Sequence, residues 1–411
     1  VKDYKAFFKE YKTKLCTQYP SLDSLNLEKV PVSPFVVNIS EQLFKQIKDT
    51  VQLFYRLSHL KAYSQSIQTE KPEYLNTSPS SVLMSYDFHI DSHHGLKLIE
   101  INTHSSGYLV SEVVDQVHGI KGLDSCGSCS ETVVVDKIHG IKVLGSNALI
   151  SLKRSFELEW QGFSNSNKPP LELLIVDEAI KDQKMYIEFL MYRDFFKKMG
   201  WSARLSEIKD LKLNGEGLLV DSDQKKIQMI YNRCTDFYFD HWPVLKKAFL
   251  DQVSCISPHP GEYLLLADKR RFCELSSDDF LEKVGLSPEE KHQIKKVIPF
   301  TAVSSFFSLE DLWLRRKKLF FKPMRGYGGK SVYRGKSISK VVFNRLIKEE
   351  ALCQELVPPP VFTDPFGVKW KYDIRAYVYR DQVQKLAARV YQGQLTQFRV
   401  PLSGFATVCV Q

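Results

Sequence analysis

Tyr4, Phe7, Phe8, Tyr11 and Leu15 recur at helical spacing, so the chain is predicted to open with an amphipathic helix. Leu43, Ile47, Val51, Phe54 and Leu57 repeat the pattern, and a second helix is expected from Ser40 to about Tyr63. Residues 71–81, rich in Pro, Ser, Asn and Thr, read as a loop. The pattern then changes to that of strands. Val82–Ile90 and Leu96–Ile101 flank Asp91-Ser92-His93-His94-Gly95, a hairpin signature. Apolar runs and helical faces alternate further on. A strand is predicted at Leu171–Val176, a helix at Lys184–Met199 closed by Gly200, and a strand at Trp201–Leu205. Gly217–Val220 and Ile227–Tyr231 read as a pair around the Asp221–Lys226 turn. After Pro258-His259-Pro260-Gly261, helices at Ser276–Val284 and Pro288–Val297 mix with strands at Leu319–Lys322, Ser331–Tyr333, Ile374–Tyr379 and Lys385–Tyr391.

The alternation points to an α/β protein with a small Rossmann-type sheet. No G-x-G-x-x-G follows its first strand, so the dinucleotide fingerprint is absent. The 411 residues are enough for two or three domains. With 43% apolar and 26% charged residues, the chain is neither disordered, collagenous nor coiled-coil. No apolar run is long enough to span a membrane. The net charge of +9 is spread out, without the clustered basic and aromatic residues of a nucleic-acid binder. Val1–Tyr4 carries no apolar signal core, and six of the 8 cysteines, Cys409 among them, are scattered singly as reduced thiols would be. The expected compartment is therefore the cytoplasm. Cys126 and Cys129 form the one C-x-x-C, which His118 and His139 could complete as a zinc site; a Gly/Ser/Cys loop is the preferred reading. The segment Val114–Lys121 returns 21 residues later as Val135–Lys142, a local duplication within an insertion.

Four segments carry candidate chemistry. In Leu319–Tyr333 a buried strand ends at Lys322 and a turn with Gly326, Gly328, Gly329 and Lys330 follows. Glycines let backbone N–H groups approach a polyphosphate, and lysines neutralise it. Met324 stands where a P-loop needs glycine and β-type residues follow, so it is not a P-loop. On the hairpin, Asp87 lies on one strand while Glu100 and Asn102, two apart, share a face of the other. Carboxylate and amide oxygens in that arrangement suit Mg²⁺; a plain solvent-facing hairpin is the alternative. The strand Ala351–Val357, stopped by Pro358-Pro359-Pro360, offers backbone groups at Gln354, Glu355, Leu356 and Val357 to an adenine edge. Asp373 and Arg375 share a strand face, where an arginine can clamp a phosphoryl group or a carboxylate, or simply join a salt-bridge ladder.

Together these segments resemble an ATP-grasp carboxylate–amine ligase. The cluster Asp87, Glu100, Asn102 comes first in the chain, and the lysines, glycine loop and hinge come last. That order resembles the circularly permuted members, above all eukaryotic glutathione synthetase. Glu100–Gly107 resembles the family's metal and substrate loop, Ile230–Arg233 its substrate arginine, Leu265–Lys269 its first ATP lysine, and Gln394–Arg399 with Gly404–Ala406 its small-residue lid. The glycine loop departs from the family's triple glycine, and Asp373-Ile374-Arg375 resembles the peptide-forming branch instead.

The resemblance implies four parts: N-terminal helices over 1–80, a metal hairpin with a helical insertion over 81–165, a Rossmann-like substrate domain over 166–260, and a nucleotide-binding domain over 261–411. It implies ATP held by Lys269, Lys322, the glycine loop with Lys330, and the segment Gln354–Val357. Magnesium would lie on Asp87, Glu100 and Asn102, with Arg375 and Lys322 at the transferring phosphoryl group. Ser105, Ser106, Arg233 and Arg399 would receive the acid, and an amine would be the second partner. A kinase on the same fold and a non-catalytic nucleotide binder are the rivals; the latter should lack at least one metal ligand or phosphate lysine. If the reading holds, the hairpin and Lys322 must meet in one cleft despite their distance in sequence.

Overall fold

The computed structural model describes residues 4–67, 69–75, 80–91, 95–120, 147–324 and 332–411. The glycine loop 326–330, Cys126, Cys129, His139 and the second copy of the repeat lie outside them.

Strand Lys369–Tyr379 organises the largest sheet. It pairs antiparallel with Gln382–Tyr391 on one side and with Met84–Ile90 on the other, and Leu96–Asn102 completes the hairpin edge. Gly404–Val410 lies beyond Gln382–Tyr391 and pairs in parallel with Val32–Ile39. Strand alternation sorts the side chains into two cores. Ile374, Ala376 and Val378 face one core with Phe44, Ile47 and Val51 of helix Glu41–Ser58 and with Ile294 of helix Pro288–Val297. Tyr377 and Tyr379 face the other, with Tyr108, Leu109 and Val113 of helix Tyr108–Val117 and with helix Tyr186–Lys198. Asp373 and Arg375 share the parity of Tyr377, so they sit on this second face.

A four-stranded sheet runs Thr301–Val303, Leu352–Glu355, Leu319–Lys322 and Tyr333–Arg334. A separate parallel sheet runs Ala203–Glu207, Leu173–Asp177, Met229–Asn232 and Cys255–Ser257, which is the Rossmann-type pattern expected from sequence. Helix Pro288–Val297 has the predicted bounds, fixed by a capping box between Ser287 and Glu290.

Several expectations are revised. The second helix is two, Glu41–Ser58 and Lys61–Ser66. Ser58 Oγ and His59 Nδ1 both turn back on the Tyr55 carbonyl, and Leu60 takes an extended conformation that ends the first helix. The expected pair around the Asp221–Lys226 turn is short: Val220 bridges Lys226 and the Ile227 N–H donates to the Leu219 carbonyl, after which Leu219–Val220 pairs with Lys212–Leu213 and Met229–Asn232 joins the parallel sheet. Gly404-Phe405-Ala406 is buried strand, not lid. Gly404 approaches the Pro31 and Val32 backbone so closely that a Cβ would lie 2.4 Å from it. Cys409 is disulfide-bonded, whereas Cys16, Cys234, Cys255, Cys273 and Cys353 are free. Among the described residues no helix is long and apolar enough to cross a membrane.

Candidate functional site

The hairpin and Lys322 do meet. Lys322 ends its strand in the smaller sheet, is 9% exposed, and its ammonium lies 3.4 Å from the carbonyl of Ile99, beside Glu100. Gln354 on the neighbouring strand orients it: its Oε1 accepts from Lys322 at 2.7 Å, and its amide donates to Thr301. Burial pushes the Lys322 pKa down to about 8, an effect that Glu100 opposes and Lys269 reinforces. Lys269 comes from a different element, at the end of the π-helical turn Tyr263–Ala267. Its pKa is also lowered by burial and held up by Glu100. Two ammonium groups from separate elements thus face one carboxylate.

Asp87 is the most heavily engaged of the three expected metal ligands. Arg375 grips it through Nε and Nη2, both at 2.7 Å, Arg389 Nη2 lies 3.0 Å from its Oδ2, and Asn102 donates to the same oxygen. Burial alone would raise the Asp87 pKa; the two guanidiniums outweigh it and hold the carboxyl down at about 2. Asn102 donates its amide to both Asp87 and Glu100, which turns its Oδ1 away from them. Glu100 and Asn102 Oδ1 are therefore the least engaged oxygen donors for a cation. That is a small set, which fits Mg²⁺ because that ion keeps several waters and phosphate oxygens. Among the described residues no group of three or more His, Cys, Asp or Glu could hold a metal.

Arg375 is likewise committed. Besides Asp87 it donates through Nη1 to the carbonyl of Ser106 at 3.2 Å, and the Tyr377 hydroxyl donates to the same carbonyl at 2.8 Å. It holds the loop rather than presenting a free guanidinium to a phosphoryl group. Arg233 closes the other side, donating to Ser106 Oγ at 2.7 Å and to the His104 carbonyl. Ser105 Oγ donates to Ser85 inside the hairpin. The loop ends at Gly107, whose φ is 96° and whose added Cβ would strike the Phe405 ring, so only glycine fits. Glu188 caps the helix that follows, accepting from the N–H groups of Gly107 and Leu109.

Arg399 is exposed and makes no contact with these residues among those described. At the hinge, the N–H groups of Glu355 and Leu356 are taken by the carbonyls of Phe300 and Lys318, and the Val357 carbonyl bonds His89 Nδ1 at 2.9 Å. Sequence reasoning missed Glu188. Asp177 was also missed; it lies at the carboxyl end of its parallel strand, with burial raising its pKa to about 6. Neither Glu188 nor Asp177 is marked as a site residue by a local pattern.

No family model and no curated protein matches the chain. Among solved structures, a glutathione synthetase like-effector of Globodera pallida in its apo form aligns over 100% of this chain and 98% of its own, with a TM-score of 0.59 at 12% identity. A Methylobacillus flagellatus KT chain described as a gamma-glutamylcysteine synthetase covers 89% of this chain and 85% of its own, at 11% identity and a TM-score of 0.46. The ATP-grasp ligase PsnB, in complex with a minimal precursor, Mg and ADP, covers 58% of this chain and 88% of its own, at 10% identity and a TM-score of 0.29. The first of these shows that the fold is glutathione synthetase-like over the whole chain.

Proposed function

We propose that the chain is an ATP- and Mg²⁺-dependent carboxylate–amine ligase with its ATP-grasp segments in permuted order. The observation that carries this reading is the Lys322 ammonium, 3.4 Å from the Ile99 carbonyl beside Glu100, with Glu100 holding up the pKa of both Lys322 and Lys269. Asp87 and Asp373 are cancelled by Arg375 and Arg389, so Glu100 faces two lysines and the cleft keeps an excess positive charge suited to a polyphosphate. Glu100 and Asn102 Oδ1 would hold magnesium, which when bound would supply neutralisation of phosphate charge. Lys269 and Lys322 would hold the phosphates, and residues 355–357 would border the adenine. Arg233 and Ser106 would receive the substrate acid. Transfer of the γ-phosphoryl group to that carboxylate releases ADP; the amine then attacks the acyl phosphate, forms the amide and expels phosphate. Such chemistry needs positioning and charge neutralisation more than covalent help.

The test is ADP release against panels of acids and amines, with the amine omitted in a parallel series. Release that needs both partners supports a ligase, and release with the acid alone supports the kinase. Glu100→Gln should cut that turnover by about a thousandfold while sparing most nucleotide affinity, because the lost metal contact matters most in the transition state. Equal loss of both would make the hairpin structural. One observation favours a second reading, a nucleotide binder without turnover: Asp87 is heavily engaged by two arginines. ATP binding with no ADP release across the panels would establish it.

A further inference from the structure

The charged groups beneath the cleft form one continuous hydrogen-bonded series. The Thr396 hydroxyl donates to Asp373 Oδ2 at 3.0 Å, and Arg389 grips the same carboxylate through Nε at 2.6 Å and Nη2 at 3.1 Å. Arg389 Nη2 also reaches Asp87, Asp87 fixes Arg375, and Arg375 holds the Ser106 carbonyl. The series starts on the segment 392–403, between the last two strands of the large sheet, and ends on the loop 103–107. Asp87, Asp373 and Arg375 are each at least nine-tenths buried, and Arg389 has 14% of its side chain exposed.

Each member has its orientation set by the one before it. A guanidinium that makes a two-point contact with a carboxylate has little rotational freedom left. Arg375 spends Nε and Nη2 on Asp87, which aims Nη1 at Ser106 O. Asp87 Oδ2 is shared with Arg389, and Arg389 is in turn aligned by Asp373. Thr396 is the one uncharged member and lies at the end of the series, on the segment from 392 to 403. That segment also touches the smaller sheet's side of the cleft, through Gln394 and Ser337 at 3.4 Å.

We infer that Thr396, Asp373 and Arg389 are positioning residues for the loop 103–107, so that the seating of segment 392–403 sets the geometry of the acid-binding loop. Its functional meaning rests on the proposed reading of that loop, but the coupling itself is a property of the apo chain. Hydrogen–deuterium exchange on the full chain, without nucleotide or substrate, tests it. Thr396→Val keeps the shape and removes the donor. It should speed exchange about fivefold in a peptide covering 103–107, and Thr396→Ser should restore the wild-type rate. Asp373→Asn should act in the same direction and more strongly. If that variant does not fold, the Val and Ser pair decides. Faster exchange confined to 392–403, or an unchanged 103–107 peptide, would overturn the inference. Neither result bears on ADP release, so this failure and that of the ligase reading are separable.

Discussion

On one face of strands Met84–Ile90, Lys369–Tyr379 and Gln382–Tyr391, the cleft end carries Asp87, Asp373, Arg375 and Arg389, two carboxylates against two guanidiniums. Further along the same face Lys385 alone meets Glu112 and Asp115, and Thr407 donates to Asp115. Both clusters are buried, so both incur the cost of desolvation. The balanced one offsets it: the Asp87 carboxyl is held at about 2. The other carries two negative charges against one positive. There burial prevails over Lys385 and raises the Asp115 pKa to about 6. Geometry alone does not make a buried carboxylate a stable anion; the local count of charges does.

The strongest way to break the contrast is Asp87→Ala. It removes the partner of Arg375 and half the support of Arg389, and should cost about 3–5 kcal/mol in urea unfolding at pH 7. The native pKa of Asp87 lies below its ordinary 3.8, so its contribution is complete above about pH 4 and fades as pH falls toward 2. A loss under about 1 kcal/mol would show that the balanced cluster is not cohesive.

The next test uses the lysines. If the arginines are spent on carboxylates, nucleotide affinity should rest on the lysines, Lys269 and Lys322 among them. Lys322→Ala should weaken ATP binding about tenfold to a hundredfold by calorimetry, with the fold intact. In the wild type the affinity should fall about tenfold between pH 7 and pH 9, as Lys322 loses its proton near its pKa of about 8. The stability of the empty protein runs the other way. The native pKa is below the ordinary 10.5, so the unfolded chain holds the proton longer and Lys322 adds stability as pH rises from about 8 toward 10.5. An affinity that is flat with pH would remove Lys322 from the phosphates.

The smallest effect is expected at the unbalanced cluster. Asp115→Asn leaves Glu112 to pair with Lys385 and should cost about 1 kcal/mol or less at pH 7. The native pKa of Asp115 lies above its ordinary 3.8, so the unfolded chain ionises first and this group's contribution declines from about pH 4 to pH 6. Asp115→Asn should abolish that slope in thermal melts, while Asp87→Asn should not.

Local pattern was enough wherever neighbours in sequence decide the structure. The alternation of Val82–Ile90 with Leu96–Ile101 located the hairpin, and Glu100 and Asn102 share a face because strand parity requires it. Ser287 with Glu290 bounded a helix. Such signals fail for Val32–Ile39 and Gly404–Val410, which are strands chiefly because they pair with each other across almost the whole chain. The break at His59–Leu60 was also hidden, since the apolar spacing continues through it.

The sequence by itself determined which residue types lie on the hairpin, on the strand ending at Lys322 and on the Asp373–Arg375 strand, because periods of two and of helical length are properties of the local backbone. Only the tertiary structure decided what those residues do. Arg375 stands 288 positions from Asp87, yet it makes that carboxylate the anchor of a charge ladder. Glu188 stands 81 positions from Gly107 and caps its helix. Which charges cancel depends on distances of a few ångströms in a low-dielectric interior, and the chain's local pattern does not contain those distances.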